Sequence, residues 1–268
     1  MYSFDKTLED GRMVSVCIPR MSHLRANITY ICDRKCPNCN RACGVAPSNV
    51  SENMSLDDFR KVMSDSLSIG KHWTKIVLTG GEPSLHPEFY GFAEAAVAYK
   101  KEIKSECHVW VGTYHHPLHF KRIQSAIDKL PELEIMGTPK TTPRVHSYAT
   151  YMAPMDSPSM PANHFYRGCH LVGSLCGTTV DYQGFWCCPV APAIARVFNL
   201  PNLVKKMKDV SLDSLTAQYD QSCRRCGFYK MEHVGNRGEP KSASWEKALK
   251  EYKATRTIGN PTKAPRLS

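Results

Sequence analysis

Cys32-Asp33-Arg34-Lys35-Cys36-Pro37-Asn38-Cys39 places three thiols within eight residues, spaced C-x3-C-x2-C. The stretch follows an apolar run, Ile28-Thr29-Tyr30-Ile31, so it reads as a loop leaving the end of a strand. A loop this short can turn three sulfurs toward one region. Three is the informative number. A closed structural zinc site takes four ligands, whereas a catalytic metal centre keeps one position open for substrate. Iron–sulfur clusters are normally held by four thiolates, so three on a four-iron cluster would leave one iron free to bind something else. On these residues alone the alternative is half of a zinc site, completed by Cys43 or by distant cysteines.

Outward from this loop the chain alternates strand and helix patterns. Asn27–Ile31 is predicted as the first core strand, after a lead-in over residues 1–24 in which Met13–Ile18 reads as an edge strand stopped by Pro19. Ser55 can cap a helix whose apolar stripe is Leu56, Phe59, Val62, Met63 and Leu67, ended by Gly70. Lys75–Thr79 is β-branched and reads as a second strand, running into Gly80-Gly81-Glu82-Pro83. A helix from Pro87, a strand over Cys107–Thr113, a helix over Pro117–Leu130 and a strand over Leu133–Met136 follow. Short connections between alternating elements predict βαβ units and a parallel sheet, curled into a barrel or an open part of one. The Pro-, Ser- and Thr-rich stretch 139–163 reads as a long connection, with one further strand over Val145–Tyr151.

Beyond Phe165 the texture changes. Cys169, Cys176, Cys187, Cys188, Cys223 and Cys226 all fall here, the last two as a C-x2-C knuckle. Thr178–Trp186 reads as a hairpin with Gln183-Gly184 at its turn, Pro192–Leu200 and Leu212–Tyr219 as short helices, and Ser244–Tyr252 as a helix in a polar tail. Four of the cysteines could close a zinc ribbon or a further cluster. Cys17, Cys43 and Cys107 read as ordinary thiols.

The cysteine loop after a first strand, followed one strand later by Gly80-Gly81-Glu82-Pro83, resembles the signature of radical S-adenosylmethionine (radical SAM) enzymes. The resemblance implies an α/β fold, a partial (β/α) TIM-like barrel with a small C-terminal cysteine-rich auxiliary-cluster domain. The implied organisation is a lead-in over 1–24, the barrel over 25–165, a domain similar to the SPASM module or its shortened Twitch form over 166–230, and a tail with one helix over 231–268. It implies a [4Fe-4S] cluster on Cys32, Cys36 and Cys39, which are then the catalytic residues. S-adenosylmethionine would chelate the open iron, its amino group bound by the motif Gly80, Gly81, Glu82 and Pro83. Thr113 and Gly137-Thr138 stand where such barrels contact the ribose and the methionine carboxylate. Asn38 departs from the family, which carries an aromatic residue just before the third cysteine.

In the C-terminal region the resemblance implies one auxiliary iron–sulfur cluster. Cys223 and Cys226 would come from the knuckle and Cys188 from the hairpin, because it precedes Pro189, with Cys187 as the rival. Cys169 and Cys176 compete for the remaining place. His170, beside Cys169, would tune such a cluster. His115, His116 and His119 follow the third strand near the rim of the site, in structural roles.

The implied reaction is reductive cleavage of S-adenosylmethionine to a 5′-deoxyadenosyl radical, which takes hydrogen from a substrate carbon. An auxiliary cluster favours a net oxidation, making the chain an oxidoreductase acting on a small sugar-like or natural-product substrate. Peptide modification and redox-neutral epimerisation or rearrangement are the alternatives within the family. The electron would come from a reductant such as flavodoxin or ferredoxin.

Bulk properties agree with a globular enzyme. The 268 residues are 42% hydrophobic and 22% charged. No apolar run approaches the roughly 20 residues of a membrane span, and Met1-Tyr-Ser-Phe-Asp-Lys lacks the pattern of a signal peptide. Twelve cysteines in short-spaced groups without an export signal read as metal ligands in a reducing, cytoplasmic compartment. The net charge of +10 is spread over the chain, so a solvated basic surface is expected, with neither nucleic acid nor membrane as partner. The contrasting reading of that charge, a zinc-binding nucleic-acid module, leaves Gly80-Gly81-Glu82-Pro83 without a role.

Overall fold

The computed structural model describes residues 3–7, 11, 13–46, 50–103, 106–114, 117–136, 150–158, 165–169, 172, 177–202, 204–229 and 241–257. His115, His116, Gly137-Thr138, His170, Cys176 and most of the strand expected over Val145–Tyr151 lie outside them. Thr150 and Tyr151, at the end of that expected strand, form a turn instead.

The chain is an α/β protein built on a parallel sheet. Strand β3 (Arg20–Thr29) lies at its centre, with β4 (Lys75–Gly80), β5 (His108–Gly112) and β6 (Leu133–Met136) following in parallel on one side. On the other side, β7 (Gly177–Asp181) runs parallel to β3, and β8 (Gly184–Trp186) returns antiparallel. The order β6-β5-β4-β3-β7-β8 leaves the sheet open among the described residues. Strands β1 (Ser3–Thr7) and β2 (Met13–Cys17) make a separate antiparallel pair.

The central strand starts seven residues earlier than its apolar pattern indicated. Arg20, Ser22 and His23 read as lead-in, but β3 pairs with Gly177 from Arg20 and with Lys75 from His23. Only the inner end, with Leu24, Ala26 and Ile28 fully buried, carries the continuous apolar run of a strand covered on both faces. The cysteine hairpin is likewise part of the main sheet, since Leu24 pairs with Thr178 and Ala26 with Val180. Its turn is at Tyr182-Gln183, with Gly184 already in β8.

Helices α1 (Leu56–Ser68) and α2 (Phe89–Ile103) cover the sheet, with Phe59 and Phe92 rings 5.2 Å apart between them. Ser55 caps α1 by accepting from Asp58 N–H at 3.1 Å. Leu67 corrects the expected stripe: it is 37% exposed, and Ser66 faces inward instead. Ser66 Oγ donates to the Val62 carbonyl and accepts from the buried Trp73 indole at 3.0 Å, so a polar residue completes the face. Helix α2 begins at Phe89, because Pro83–Leu85 form a 3-10 turn after the glycine pair. Helices α3 (Pro117–Lys129), α4 (Ala191–Phe198), α5 (Leu212–Thr216), α6 (Tyr219–Cys223) and α7 (Ala243–Thr257) complete the described set. The tail helix α7 is no appendage. Its residues Trp245, Ala248, Leu249 and Tyr252 are buried with Ile194 and Val197 of α4 and with Ala42 and Ala46 of the cysteine loop.

Candidate active site

The cysteine loop leaves β3 at Tyr30 and folds into consecutive turns. Cys39 N–H donates to the Cys36 carbonyl at 3.2 Å and Ala42 N–H to the Cys39 carbonyl at 2.8 Å. Asn38 sits between them with φ of 51°, in the left-handed region that asparagine tolerates better than most residues. A backbone demand thus accounts for the residue that departs from the family pattern. Backbone amides point at two of the sulfurs, Arg34 N–H at Cys32 Sγ and Arg41 N–H at Cys39 Sγ, each at 3.5 Å.

All three thiols are partly exposed and line one open cavity of about 190 Å³. The other wall is Thr79, Gly80 and Gly81 from the end of β4, and Gly112, Thr113 and Tyr114 from the end of β5. Arg34, Asn40, Arg41 and Cys43 complete it. Among the described residues no three His, Cys, Asp or Glu side chains converge on one point as ligands of a single ion would. The sulfurs ring a space instead. Their protonation differs with position. A hydrogen bond from Cys43 and amide contacts bring the Cys39 thiol down to about 6 despite its burial. Burial pushes Cys32 up to about 12, with the Arg34 amide only partly offsetting it.

The glycine pair does something the sequence did not disclose. A Cβ on Gly80 would stand 2.1 Å from the Thr29 carbonyl oxygen, and one on Gly81 would stand 2.2 Å from that of Ile31. Gly81 N–H donates to Thr29 O at 2.7 Å and Glu82 N–H to Ile31 O at 2.9 Å. Gly80 also holds φ of 137°, which only glycine adopts without strain. The pair leaves bare backbone on the cavity wall. It is also a latch that presses the end of β4 onto the three residues preceding Cys32.

No family model matches the chain. In sequence it is 29% identical over 93 residues to GTP 3′,8-cyclase of Mannheimia succiniciproducens, a radical SAM enzyme, across 35% of this chain and 27% of that one. It therefore spans about a quarter of the length of this curated relative. Among solved structures, BtrN in complex with AdoMet and 2-DOIA has a TM-score of 0.38 and 13% identity, covering 91% of this chain and 95% of that one. Streptococcus suis SuiB bound to S-adenosylmethionine has a TM-score of 0.33 and 14% identity, covering 44% of this chain and 23% of that one. The spacing of Cys32, Cys36 and Cys39, their shared cavity with Gly80-Gly81 and the sequence match agree. The curated relative that matches this stretch is a radical SAM enzyme.

Glu82 and Pro83 lie behind the cavity wall rather than on it. Glu82 is fully buried, and four donors fill its carboxylate. Ser84 supplies its N–H at 3.2 Å and its hydroxyl at 2.7 Å, Thr113 its hydroxyl at 2.9 Å and Tyr114 its N–H at 3.4 Å. Glu82 thereby ties the ends of β4 and β5 together and orients Thr113 on the wall.

Asp33, inside the cysteine loop, was not foreseen as a site residue. The Tyr114 hydroxyl and His119 Nε2, the latter at 2.9 Å, both meet its carboxylate, and the Arg34 guanidinium lies 4.2 Å above the Tyr114 ring. Burial acts to raise the Asp33 carboxyl, but the Tyr114 and His119 hydrogen bonds outweigh it and hold it below its ordinary value.

Arg196 supports the loop from beneath. Its buried guanidinium donates to the carbonyls of Ala46 at 2.6 Å and Arg41 at 2.9 Å, pairs with Glu52 at 3.1 Å and meets the Tyr252 hydroxyl at 2.7 Å. One arginine in the apolar helix Ala191–Phe198 was the available signal in the sequence.

Five of the six C-terminal cysteines are described. Cys169, Cys187, Cys188 and Cys223 share an apolar cluster with the buried ring of Tyr219. Cys226 is one turn on from Cys223, its N–H donating to the Cys223 carbonyl at 3.2 Å. A hydrogen bond from Cys187 brings the Cys188 thiol down to about 7, and the same bond, with burial, pushes Cys187 up. Cys17, read as an ordinary thiol, ends β2 beside this group: the Tyr219 hydroxyl donates to its carbonyl at 2.7 Å.

Proposed function

We propose that Cys32, Cys36 and Cys39 hold a [4Fe-4S] cluster in the cavity they line and that S-adenosylmethionine occupies the space between them and the ends of β4 and β5. The observation that carries this is the meeting of three thiols and the Gly80-Gly81 backbone on one open cavity, three ligands short of closing a four-iron cluster by one. The residues fit the group. Thiols ring a space wider than a single ion needs, and amides already point at two sulfurs, as hydrogen bonds to thiolates do. When bound, the cluster and cofactor supply reductive cleavage to methionine and a 5′-deoxyadenosyl radical.

The chain's own part is to bind, orient and exclude. Thr113 spends its proton on Glu82, so its oxygen remains an acceptor on the wall for an ammonium group. Glu82 stands behind it as the nearby negative charge. Arg34, held over the Tyr114 ring, presents a cation suited to a carboxylate. Gly80 and Gly81 leave that wall without side chains.

The region 166–230 is proposed as a Twitch-like unit in which Cys223, Cys226 and Cys188, with Cys169 or Cys176, hold a second cluster; Cys187 is the alternative to Cys188. With that second redox centre, the reaction is a net oxidation of a small sugar-like or natural-product substrate, and a flavodoxin or ferredoxin supplies the electron. No helix among the described residues is long and apolar enough to cross a membrane.

Anaerobic reconstitution tests the reading. About eight irons and as many sulfides per chain are expected, with reductive formation of 5′-deoxyadenosine. Cys36→Ala is expected to lose about four irons and all cleavage. Zinc uptake without iron, or unchanged cleavage in Cys36→Ala, sinks it.

A further inference from the structure

The sheet has two unlike faces. Leu24, Ala26, Ile76, Leu78, Val109 and Val111 turn into the core with α1 and α2. Successive residues of a strand alternate, so Arg25, Asn27, Lys75, Thr79, Trp110 and Gly112 lie on the other face. Asn27 and Thr79 are direct neighbours across β3 and β4, and Thr79 and Gly112 belong to the cavity wall. The polar face therefore continues from the cavity along the strands. Arg41 reaches it from the cysteine loop. Its N–H meets Cys39 Sγ, but its side chain runs to the sheet, where Nε donates to Asn27 Oδ1 at 3.2 Å. Asn27 is fixed in turn, its Nδ2 donating to the Pro189 carbonyl at 3.2 Å. Nη1 has the Asn40 carbonyl at 3.5 Å, and Nη2 has no acceptor among the described residues. Both partners are neutral. Arg41 is only 6% exposed, yet no carboxylate among the described residues pairs with it. The strand carboxylates of this face are taken. Asp181 accepts from Tyr30, Gln183 and Trp186, and Glu134 is held by His108 and Trp110. A buried cation without an anion is costly.

We propose that Arg41 recognises the substrate and that the substrate carries an oxyanion, a phosphate or a carboxylate, held by Arg41 on the polar face of the sheet next to the cofactor cavity. The inference rests on the proposed cluster and cofactor, and it narrows the substrate to an acidic one. The cavity wall carries two guanidiniums and no carboxylate. Arg34 serves the carboxylate of the cofactor, which leaves Arg41 for a second anion. Its Nε is anchored by Asn27, so the free end of a planar fork is set to take two oxygens of one group. Arg25 and Lys75, on the same face, add positive charge that favours an anion there.

The test uses the whole chain, reconstituted anaerobically, with the cluster oxidised and S-adenosylmethionine saturating. Equilibrium dialysis with labelled inorganic phosphate, and separately with labelled acetate, measures binding. The ion that binds more tightly tells a phosphorylated substrate from a carboxylated one. Arg41→Gln should weaken that ion about tenfold or more, with iron per chain and affinity for S-adenosylmethionine unchanged. Asn27→Asp keeps the arginine but sets a carboxylate against it. It should weaken the ion as well, and it decides the matter if Arg41→Gln folds poorly. Arg60→Gln removes an exposed cation of α1 and should change nothing. Binding of the ion to Arg41→Gln and Asn27→Asp as to wild type overturns the inference. So does a matching loss of S-adenosylmethionine affinity, which would assign Arg41 to the cofactor's own carboxylate. A shifted cluster potential with unchanged ion binding also overturns it, since Arg41 would then be the counter-charge of the cluster. A wild-type chain that loads iron and cleaves S-adenosylmethionine but binds neither ion sinks this inference alone. One that loads no iron on Cys32, Cys36 and Cys39 overturns both.

Discussion

The two groups of thiols in this chain are built on opposite plans. Cys32, Cys36 and Cys39 are partly exposed, ring an open cavity and sit on a loop made of turns. Cys187, Cys223 and Cys226 are buried, and Cys169 and Cys188 pack with the first two around Tyr219 in an apolar cluster. The exposed loop has little core of its own and is held by polar contacts from distant elements: the glycine latch, the Asp33 ties and the Arg196 carbonyl bonds. The buried group is held by packing. A site that must admit a cofactor cannot be filled with side chains, so its rigidity has to come from hydrogen bonds and backbone approach around the rim.

The sharpest way to break this comparison is at the latch. Gly80→Ala forces a Cβ to within 2.1 Å of Thr29 O at a φ of 137°, so the backbone of β4 or of the cysteine loop must move. A loss of about 3–5 kcal/mol is expected, in the range of severe backbone strain. Thermal unfolding should report it, and iron loading on the first loop should collapse with it. Gly70→Ala is the control, since its φ is also positive, at 67°, but a Cβ there meets nothing within 4 Å. Similar losses for the two would mean that φ strain, not docking of the loop, is what Gly80 relieves.

A smaller effect separates the neighbours in the buried group. Cys188 is the more readily ionised thiol and Cys187 its hydrogen-bond donor. Thiolates are the metal ligands, so Cys188→Ala is expected to lose about four irons while Cys187→Ala keeps them. The outcome reads out as iron per chain, and the reverse pattern would reassign the ligand to Cys187.

Much of this was legible from residue order. The C-x3-C-x2-C spacing, the Gly-Gly-Glu-Pro turn and the alternation of elements each depend on neighbours within a few residues. So does the hairpin before Cys187. What escaped depends on long separations. Arg196 meets Arg41 and Ala46 about 150 residues away, and Trp245 reaches the loop through packing that no local pattern records. The glycine pair was legible as a motif but not as a latch, because that role depends on β3 ending at Thr29. The charged start of β3 hid that strand's extent, and Ser66 took an inward position that periodicity assigned to an apolar residue.

The gentlest probe is the charge at Asp33, the one carboxylate within the open loop. Tyr114 and His119 hold its carboxyl below the ordinary value against the opposing effect of burial. A depressed carboxyl contributes stability that is present above the unfolded value of about 3.9 and is lost as the pH falls through the folded one. The tie between the loop and the end of β5 should therefore persist through neutral pH and weaken only in acid, below about pH 4. Asp33 is 43% exposed, so water and salt screen this contribution and the effect is small. Asp33→Asn keeps the shape, removes the charge and should flatten the acid limb of the thermal-stability curve while leaving the neutral region little changed. An identical acid limb in wild type and variant would show that Gly80-Gly81 and Arg196 hold the loop without help from this carboxylate.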